Sequence, residues 1–442
     1  MGCMTDSSNI EIEEISGEYY DWTITNEPEQ PWNHDYNSTL VTKFFLCERD
    51  GEGKVGKVHL TFEESLDVIR KLDNITLGIP KIVYLVGWQY NGHDSKYPSW
   101  DKVNKALKRE EDKDALTSLK WLIKEAKRYN TIVSLHLNMI DAFQDSPLWD
   151  TYLEEDIIAK DSIGNPIPGE VFWDMQSYQI SYAQEWKLGY AQKRIDAILE
   201  MIPELVIGGT IHIDAFHSMR PSGPNEPISP FLGYSTEDEM SAQRKILRYW
   251  RSKGLDVTCE AGIYWLRKDP FLGLQAMQWH YTETNFFNED WLNKPEDFKS
   301  LPLTLAGFSP MQCEMEIKND PQNLGNLIEQ VCLKLIPWYY RRNHDISKYS
   351  NVIITDDHVI CPVIWTDHAL IAYSKNQDIT DFSFSLPSIW GDFQELNSFE
   401  ITLDGLKPLG TFTVELSSNK QFRKSILNIP KGKAILLKSI TQ

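Results

Sequence analysis

Lys81-Ile82-Val83-Tyr84-Leu85-Val86-Gly87 is a nearly continuous apolar run closed by a glycine. Such a run reads as a strand buried on both faces of a parallel sheet. Upstream, Thr61 stands three residues before Glu64, the spacing of a capping box, and Ile69, Leu72 and Ile75 continue at helical spacing. Farther upstream, residues 42–47 read as a strand, 50–53 as a turn and 57–60 as a hairpin partner. Downstream the alternation continues: helix 114–129, strand 131–137, helix 183–201, strand 206–214, helix 236–253 ended by Gly254, and strand 255–260. Shorter strands are expected at 276–281 and 303–308, and a helix at 323–340. Roughly seven or eight such units imply a parallel sheet and, at this length, a (β/α)8 TIM-like barrel over residues 61–345. A doubly wound open sheet is the alternative. Gly51-Glu52-Gly53-Lys54-Val55-Gly56 matches GxGxxG, but a strand-like segment follows where a dinucleotide site needs a helix, so it reads as a hairpin turn. Residues 1–60 form an N-terminal arm whose Tyr19, Tyr20, Trp22 and Trp32 imply packing on the barrel. Beyond residue 350 only short strands separated by turn residues occur, which reads as a C-terminal antiparallel β-sandwich, 346–442.

Composition narrows the function. The formal net charge of −20 argues against nucleic acid and against anionic membrane surfaces as partners. The six cysteines form no CxxC pair and are too scattered for a disulfide scaffold, which fits a reducing compartment. The first residues, Met1-Gly2-Cys3-Met4-Thr5-Asp6, lack the pattern of a signal peptide, so a cytoplasmic location is expected. The 15 Trp and 19 Tyr are either core filler or platforms for sugar rings.

In a barrel, chemistry gathers at the C-terminal ends of the strands. The strand at 81–87 runs into Trp88-Gln89-Tyr90-Asn91-Gly92-His93-Asp94-Ser95, flanked by Trp100. There Asp94 has the form of a bidentate acceptor for two hydroxyls; an Asx-turn is the structural alternative. The next strand places His136 and Asn138 on one side by period-two alternation, with Asp141 just beyond. Ile211-His212-Ile213-Asp214-Ala215-Phe216-His217 puts a carboxylate where its strand ends, costly to bury without a task. Cys259-Glu260-Ala261-Gly262 ends the following strand beside Trp265. Two carboxylates on successive strand ends are the pair that glycoside hydrolysis requires, about 5–5.5 Å apart for retention and about 6.5–9.5 Å for inversion.

On GWQ with GHDS, His136-x-Asn138, Ile213-Asp214 and Cys259-Glu260-Ala261-Gly262, the chain resembles glycoside hydrolase family 101, the endo-α-N-acetylgalactosaminidases, and its smaller relatives, including family 129. The resemblance covers about residues 80–310. It implies a retaining mechanism on α-linked N-acetylgalactosamine or a related galacto-configured sugar, with Asp214 as nucleophile and Glu260 as acid/base. It implies that Asp94 contacts sugar hydroxyls and that Trp173 and Asp174, in Phe172-Trp173-Asp174, line the sugar site. Trp88, Gln89, His93, Trp100, His136, Asn138, His217 and Trp265 complete the expected substrate-binding set. Neither a cofactor nor a metal is required. The separation of Asp214 from Glu260 is longer than the family's, and 221–230 reads as an inserted loop over the active face. The expected partner is a small glycan or glycopeptide. Two alternatives carry different chemistry: a metallohydrolase using His93, Asp94, His136, His212, Asp214 and His217, and a non-catalytic glycan-binding protein.

Overall fold

A computed structural model describes residues 29–36, 38–214, 216, 228–259, 274–276, 309–343, 352–387, 395–416 and 422–439. Its centre is a six-stranded parallel sheet. The strands are β1 (Leu40–Phe45), β4 (Lys81–Val86), β5 (Thr131–Asn138), β9 (Thr210–Asp214), β10 (Asp256–Cys259) and β11 (Leu274–Ala276), in that spatial order. Each strand neighbours its sequence successor in the sheet, and every pairing is parallel.

The sheet begins one strand earlier than the sequence implies. Residues 42–47 read as half of a hairpin, yet Leu40–Phe45 pairs residue for residue with Lys81–Val86. The hairpin is built instead from β2 (Cys47–Arg49) and β3 (Val55–Val58), and the glycine-rich segment is its turn, as expected. Helix α1 (Phe62–Ile75) starts at the Thr61–Glu64 capping box and buries Val68, Ile69, Leu72 and Ile75. Helix α2 (Ala115–Ala126) connects β4 to β5 and buries Leu119, Leu122 and Ile123.

Three other expectations shift. The 183–201 helix is two helices, α4 (Tyr182–Lys187) and α5 (Tyr190–Met201), divided at Gly189 with φ +75°. The expected strand start at 206 is the short helix α6 (Glu204–Gly208), and Gly209, at φ +67°, turns the chain into β9. Between β5 and α4 lies an insertion not foreseen: helix α3 (Trp149–Glu154) and an antiparallel sheet of β6 (Asp141–Phe143), β8 (Met175–Gln179) and β7 (Pro168–Phe172). Helix α7 (Thr236–Ser252) runs back to β10 and buries Trp250 completely. Of the shorter expected strands, 276–281 meets the described strand β11 only at Ala276, and its remainder and 303–308 lie outside the described residues.

The expected 323–340 helix is irregular. After α8 (Glu314–Asn319), α9 (Leu327–Gln330) passes into a π-helical turn at Val331–Leu335 and then into α10 (Ile336–Asn343). Pro337 has no N–H and would press on the carbonyl four residues back, and the widened turn removes that conflict. Beyond it, two antiparallel sheets enclose a second core of Ile360, Leu370, Phe384, Leu396, Leu427 and Leu437. One contains β12 (Ile353–Ile354), β13 (His358–Pro362), β14 (Ala369–Ser374), β20 (Ile435–Ser439), β16 (Glu395–Thr402) and β17 (Gly405–Thr413). The other contains β15 (Ile379–Pro387), β19 (Phe422–Ile429) and β18 (Glu415–Leu416). Trp365 donates to the Thr76 carbonyl (3.0 Å) and Asn74 to that of Leu403 (2.7 Å), tying this unit to α1.

The N-terminal ends of the strands are closed by residues 29–36. Asp256, fully buried at the start of β10, accepts from Arg251, from the backbone amides of Asn33 (3.0 and 2.9 Å) and His34 (3.1 Å), and from the Tyr36 hydroxyl (3.0 Å). Removing one partner of a buried ion pair strands the other charge. Asp256→Ala is therefore expected to lose about 3–5 kcal/mol of stability, measured by urea unfolding. A loss under about 1 kcal/mol, the scale of an exposed pair, would contradict it.

Candidate active site

The C-terminal ends of β4, β5 and β9, with the β2–β3 hairpin and the β6–β8 insertion, bring four aspartates into one region: Asp94, Asp141, Asp145 and Asp214. Register explains part of it. Asn138 is paired with Asp214 and His136 with His212, so the expected residues of two strands stand at matching levels. His136 Nε2 lies 3.5 Å from Asp214 Oδ2. His93 packs edge-on to the His136 ring (centroids 5.5 Å apart), and His136 lies against His212 (5.3 Å). His212 is anchored through Nδ1 to the Thr258 hydroxyl (2.8 Å). The three histidines thus form a column running down from the strand ends.

The loop carrying GWQ and GHDS is shaped by two glycines. A Cβ on Gly87 (φ +75°) would stand 2.2 Å from the Cys47 carbonyl oxygen, and one on Gly92 (φ +124°) 2.6 Å from the Glu48 carbonyl carbon. Only glycine lets the loop press against β2 here. The His93 amide then donates to the Cys47 carbonyl (2.9 Å). Asp94 follows in a left-handed conformation (φ +53°), nearly buried, with Oδ2 3.4 Å from His93 Nε2. Burial is the main cause that pushes the Asp94 carboxyl above the ordinary range. The Asp214 charge adds to the shift, while His93, Arg49 and the Trp173 indole oppose it.

Trp173 and Asp174 form the two-residue turn between β7 and β8, both left-handed (φ +53° and +61°). Such turns favour Gly, Asn and Asp. A left-handed non-glycine residue costs of order 1–3 kcal/mol and tends to mark a functional site. Trp173 is 38% exposed, unlike the other described tryptophans proposed for the site.

Those others require correction. Trp88 is completely buried, and its Nε1 donates to the His136 carbonyl (3.1 Å). Trp100 is buried between the Arg194 guanidinium (4.2 Å) and Trp250. Both brace the strand ends from behind and offer no face to a sugar. Gln89 is buried as well; its Nε2 donates to the Tyr97 hydroxyl (3.0 Å), while its Oε1 has no hydrogen-bond partner among the described residues. Asn138 is turned to its own loop, donating to Asp141 Oδ2 (2.7 Å) and accepting from the Ile140 and Asp141 amides. Glu260, His217 and Trp265 lie outside the described residues.

Two residues missing from the expected set belong to this region. Arg49 is a buried cation whose charge faces Asp94, Asp145 and Asp141. No local signal in the sequence marks it, since its contacts lie far along the chain. Asp141 has its carboxyl pushed up to about 7, mainly by burial and then by the charge of Asp94. A carboxyl near 4 in the unfolded chain and near 7 in the folded one makes the folded state bind more protons between those values. Its contribution to stability therefore falls as pH rises from about 4 to about 7. Asp141→Asn should stabilise the protein relative to the parent at pH 8 more than at pH 5, read from denaturation midpoints. An equal difference at both pH values would contradict the assignment.

Among the described residues no three His, Cys, Asp or Glu side chains converge as a metal-binding group, the histidine column included. A cavity of about 630 Å³ lies elsewhere, between α9–α10 and the sandwich, where Lys334, Trp338, Arg341 and Lys375 line it. The carboxylates and histidines described above are at the strand ends and not there.

This is a parallel α/β domain with acidic residues at its strand ends. The family model for endo-alpha-N-acetylgalactosaminidase, glycoside hydrolase family 101, matches residues 55–257, the span from β3 to β10 that holds these loops. The match agrees with the resemblance read from the sequence and supports a glycoside hydrolase. Among solved structures, the chain is similar to the alpha-N-acetylgalactosaminidase NagBb from Bifidobacterium bifidum in complex with Gal-NHAc-DNJ. The identity is 11% and the TM-score 0.41, over 63% of this chain and 39% of that one. The GalNAc complex of the same protein gives 12% identity and a TM-score of 0.37, over 58% and 36%. An alpha-amylase from Geobacillus thermoleovorans, complexed with acarbose, gives 11% and 0.42, over 93% and 100%. The chain therefore spans well under half the length of NagBb. No curated protein matches.

Proposed function

We propose that the protein is a retaining α-glycosidase acting on α-linked N-acetylgalactosamine or a closely related galacto-configured sugar. The observation that carries the reading is Asp214 at the end of β9, in register with Asn138, 3.5 Å from His136 and electrostatically coupled to Asp94, within the matched segment. The six sequential parallel strands support a (β/α)8 barrel over about 61–345, with β1 joining it from the preceding arm, and a sandwich over about 346–442.

In this reading Asp214 attacks the anomeric carbon while Glu260 protonates the leaving oxygen. Water then hydrolyses the glycosyl-enzyme with Glu260 as base. His136 orients the Asp214 carboxylate. Asp94, whose charged form His93, Arg49 and the Trp173 indole favour, accepts hydrogen bonds from sugar hydroxyls. Trp173 covers the ring. The substrate is a small glycan or glycopeptide. A screen of α- and β-linked nitrophenyl glycosides tests the specificity. Release from α-N-acetylgalactosaminide above all others is expected, and preference for any β-glycoside would overturn it.

A further inference from the structure

We propose that Arg49 is a positioning residue that fixes the Trp173-Asp174 turn beside the Asp94 carboxylate; this rests on the glycosidase reading for its effect on turnover.

Arg49 lies on the β2–β3 hairpin, far in sequence from the turn. Its side chain nevertheless reaches both arms of it. Nη2 donates to the Phe172 carbonyl (3.1 Å) and Nη1 contacts Met175 Sδ (3.0 Å). Phe172 and Met175 are the last pair of the β7–β8 ladder, the residues that bracket Trp173 and Asp174. The guanidinium lies over the Phe143 ring at 4.2 Å, so β6 supports it from the other side. The same hairpin touches the turn again at Gly51, where a Cβ would stand 3.1 Å from Asp174 Oδ2 and 3.6 Å from the Trp173 carbonyl oxygen.

A turn of two left-handed non-glycine residues does not favour that shape by itself, and it persists only where its surroundings over-determine it. Arg49 supplies that constraint with a rigid, planar, multi-donor group that lysine does not reproduce. A buried cation is a poor choice for packing alone, since an apolar side chain of similar volume often serves as well or better. Its retention is explained by the carboxylates it faces: Asp94, Asp145 and Asp141. One guanidinium therefore balances the acidic cluster and holds in place the indole that covers it.

The test uses the full chain labelled with 5-fluorotryptophan, the Trp173 resonance being identified by its loss in Trp173→Phe. In Arg49→Met the Trp173 fluorine resonance should shift towards the solvent-exposed position and broaden, while the remaining indole resonances stay in place. Arg49→Lys should show an intermediate shift and provides the same readout if the methionine variant does not fold. With the nitrophenyl substrate, KM should rise about tenfold or more and kcat should fall less, as expected when a binding group is displaced. An unmoved Trp173 resonance in a folded variant, or an unchanged KM, would overturn the proposal. Should the parent enzyme release no sugar, the glycosidase reading fails on its own, and the fluorine spectra still decide whether Arg49 holds the turn.

Discussion

Asp214→Asn is expected to leave the fold intact and to lower kcat by a factor on the order of 10⁴ or more. The size follows from the role. An amide cannot form the covalent glycosyl intermediate, and the neighbouring Asp94 and Asp141 belong to other loops. The fold should survive because asparagine is isosteric and Asp214, at the rim of β9, is only partly buried. The measurement is release of nitrophenol from the α-N-acetylgalactosaminide, with the thermal midpoint recorded alongside. A variant that keeps a tenth of the parent's turnover would remove Asp214 from the mechanism.

Glu260→Gln is expected to lower kcat/KM, which reports the first displacement, about 10²–10⁴-fold on substrates whose leaving group needs a proton, the usual range for general acid–base assistance. The loss should shrink as the leaving group becomes more acidic, because an activated phenol departs without help. Comparing methyl-umbelliferyl, nitrophenyl and simple alkyl glycosides exposes that gradient. The prediction rests on the position of Glu260 one residue beyond β10, the strand paired directly with β9. An equal loss on all leaving groups would indicate a role other than acid catalysis.

Much of the parallel sheet was legible because its strands announce themselves. The 81–86 run is buried at every position, and burial on both faces is what an unbroken apolar run encodes. Strand β1 was harder to place, since Leu-Val-Thr-Lys-Phe-Phe interrupts its apolar character with two polar residues that are nonetheless buried. The β6–β8 insertion escaped because β7, Pro-Gly-Glu-Val-Phe, is almost wholly exposed and carries no apolar alternation. At the site, the acidic positions at strand ends could be read from alternation. The tryptophans could not. Trp88 and Trp173 are each followed by a polar residue in sequence, Gln89 and Asp174, and only the path of the backbone puts one wholly in the core and leaves the other exposed. Arg49 was invisible for a related reason: its partners are 123 and 126 residues away, and no local pattern encodes such contacts.

The central claim is a double displacement at the anomeric carbon through Asp214, and the anomer of the first-formed product tests it most directly. Proton NMR during hydrolysis of an aryl α-N-acetylgalactosaminide, recorded before mutarotation, should show the α-anomer of the free sugar appearing first. Initial appearance of the β-anomer would contradict the account, because it requires a single displacement by water and leaves Asp214 no role as nucleophile.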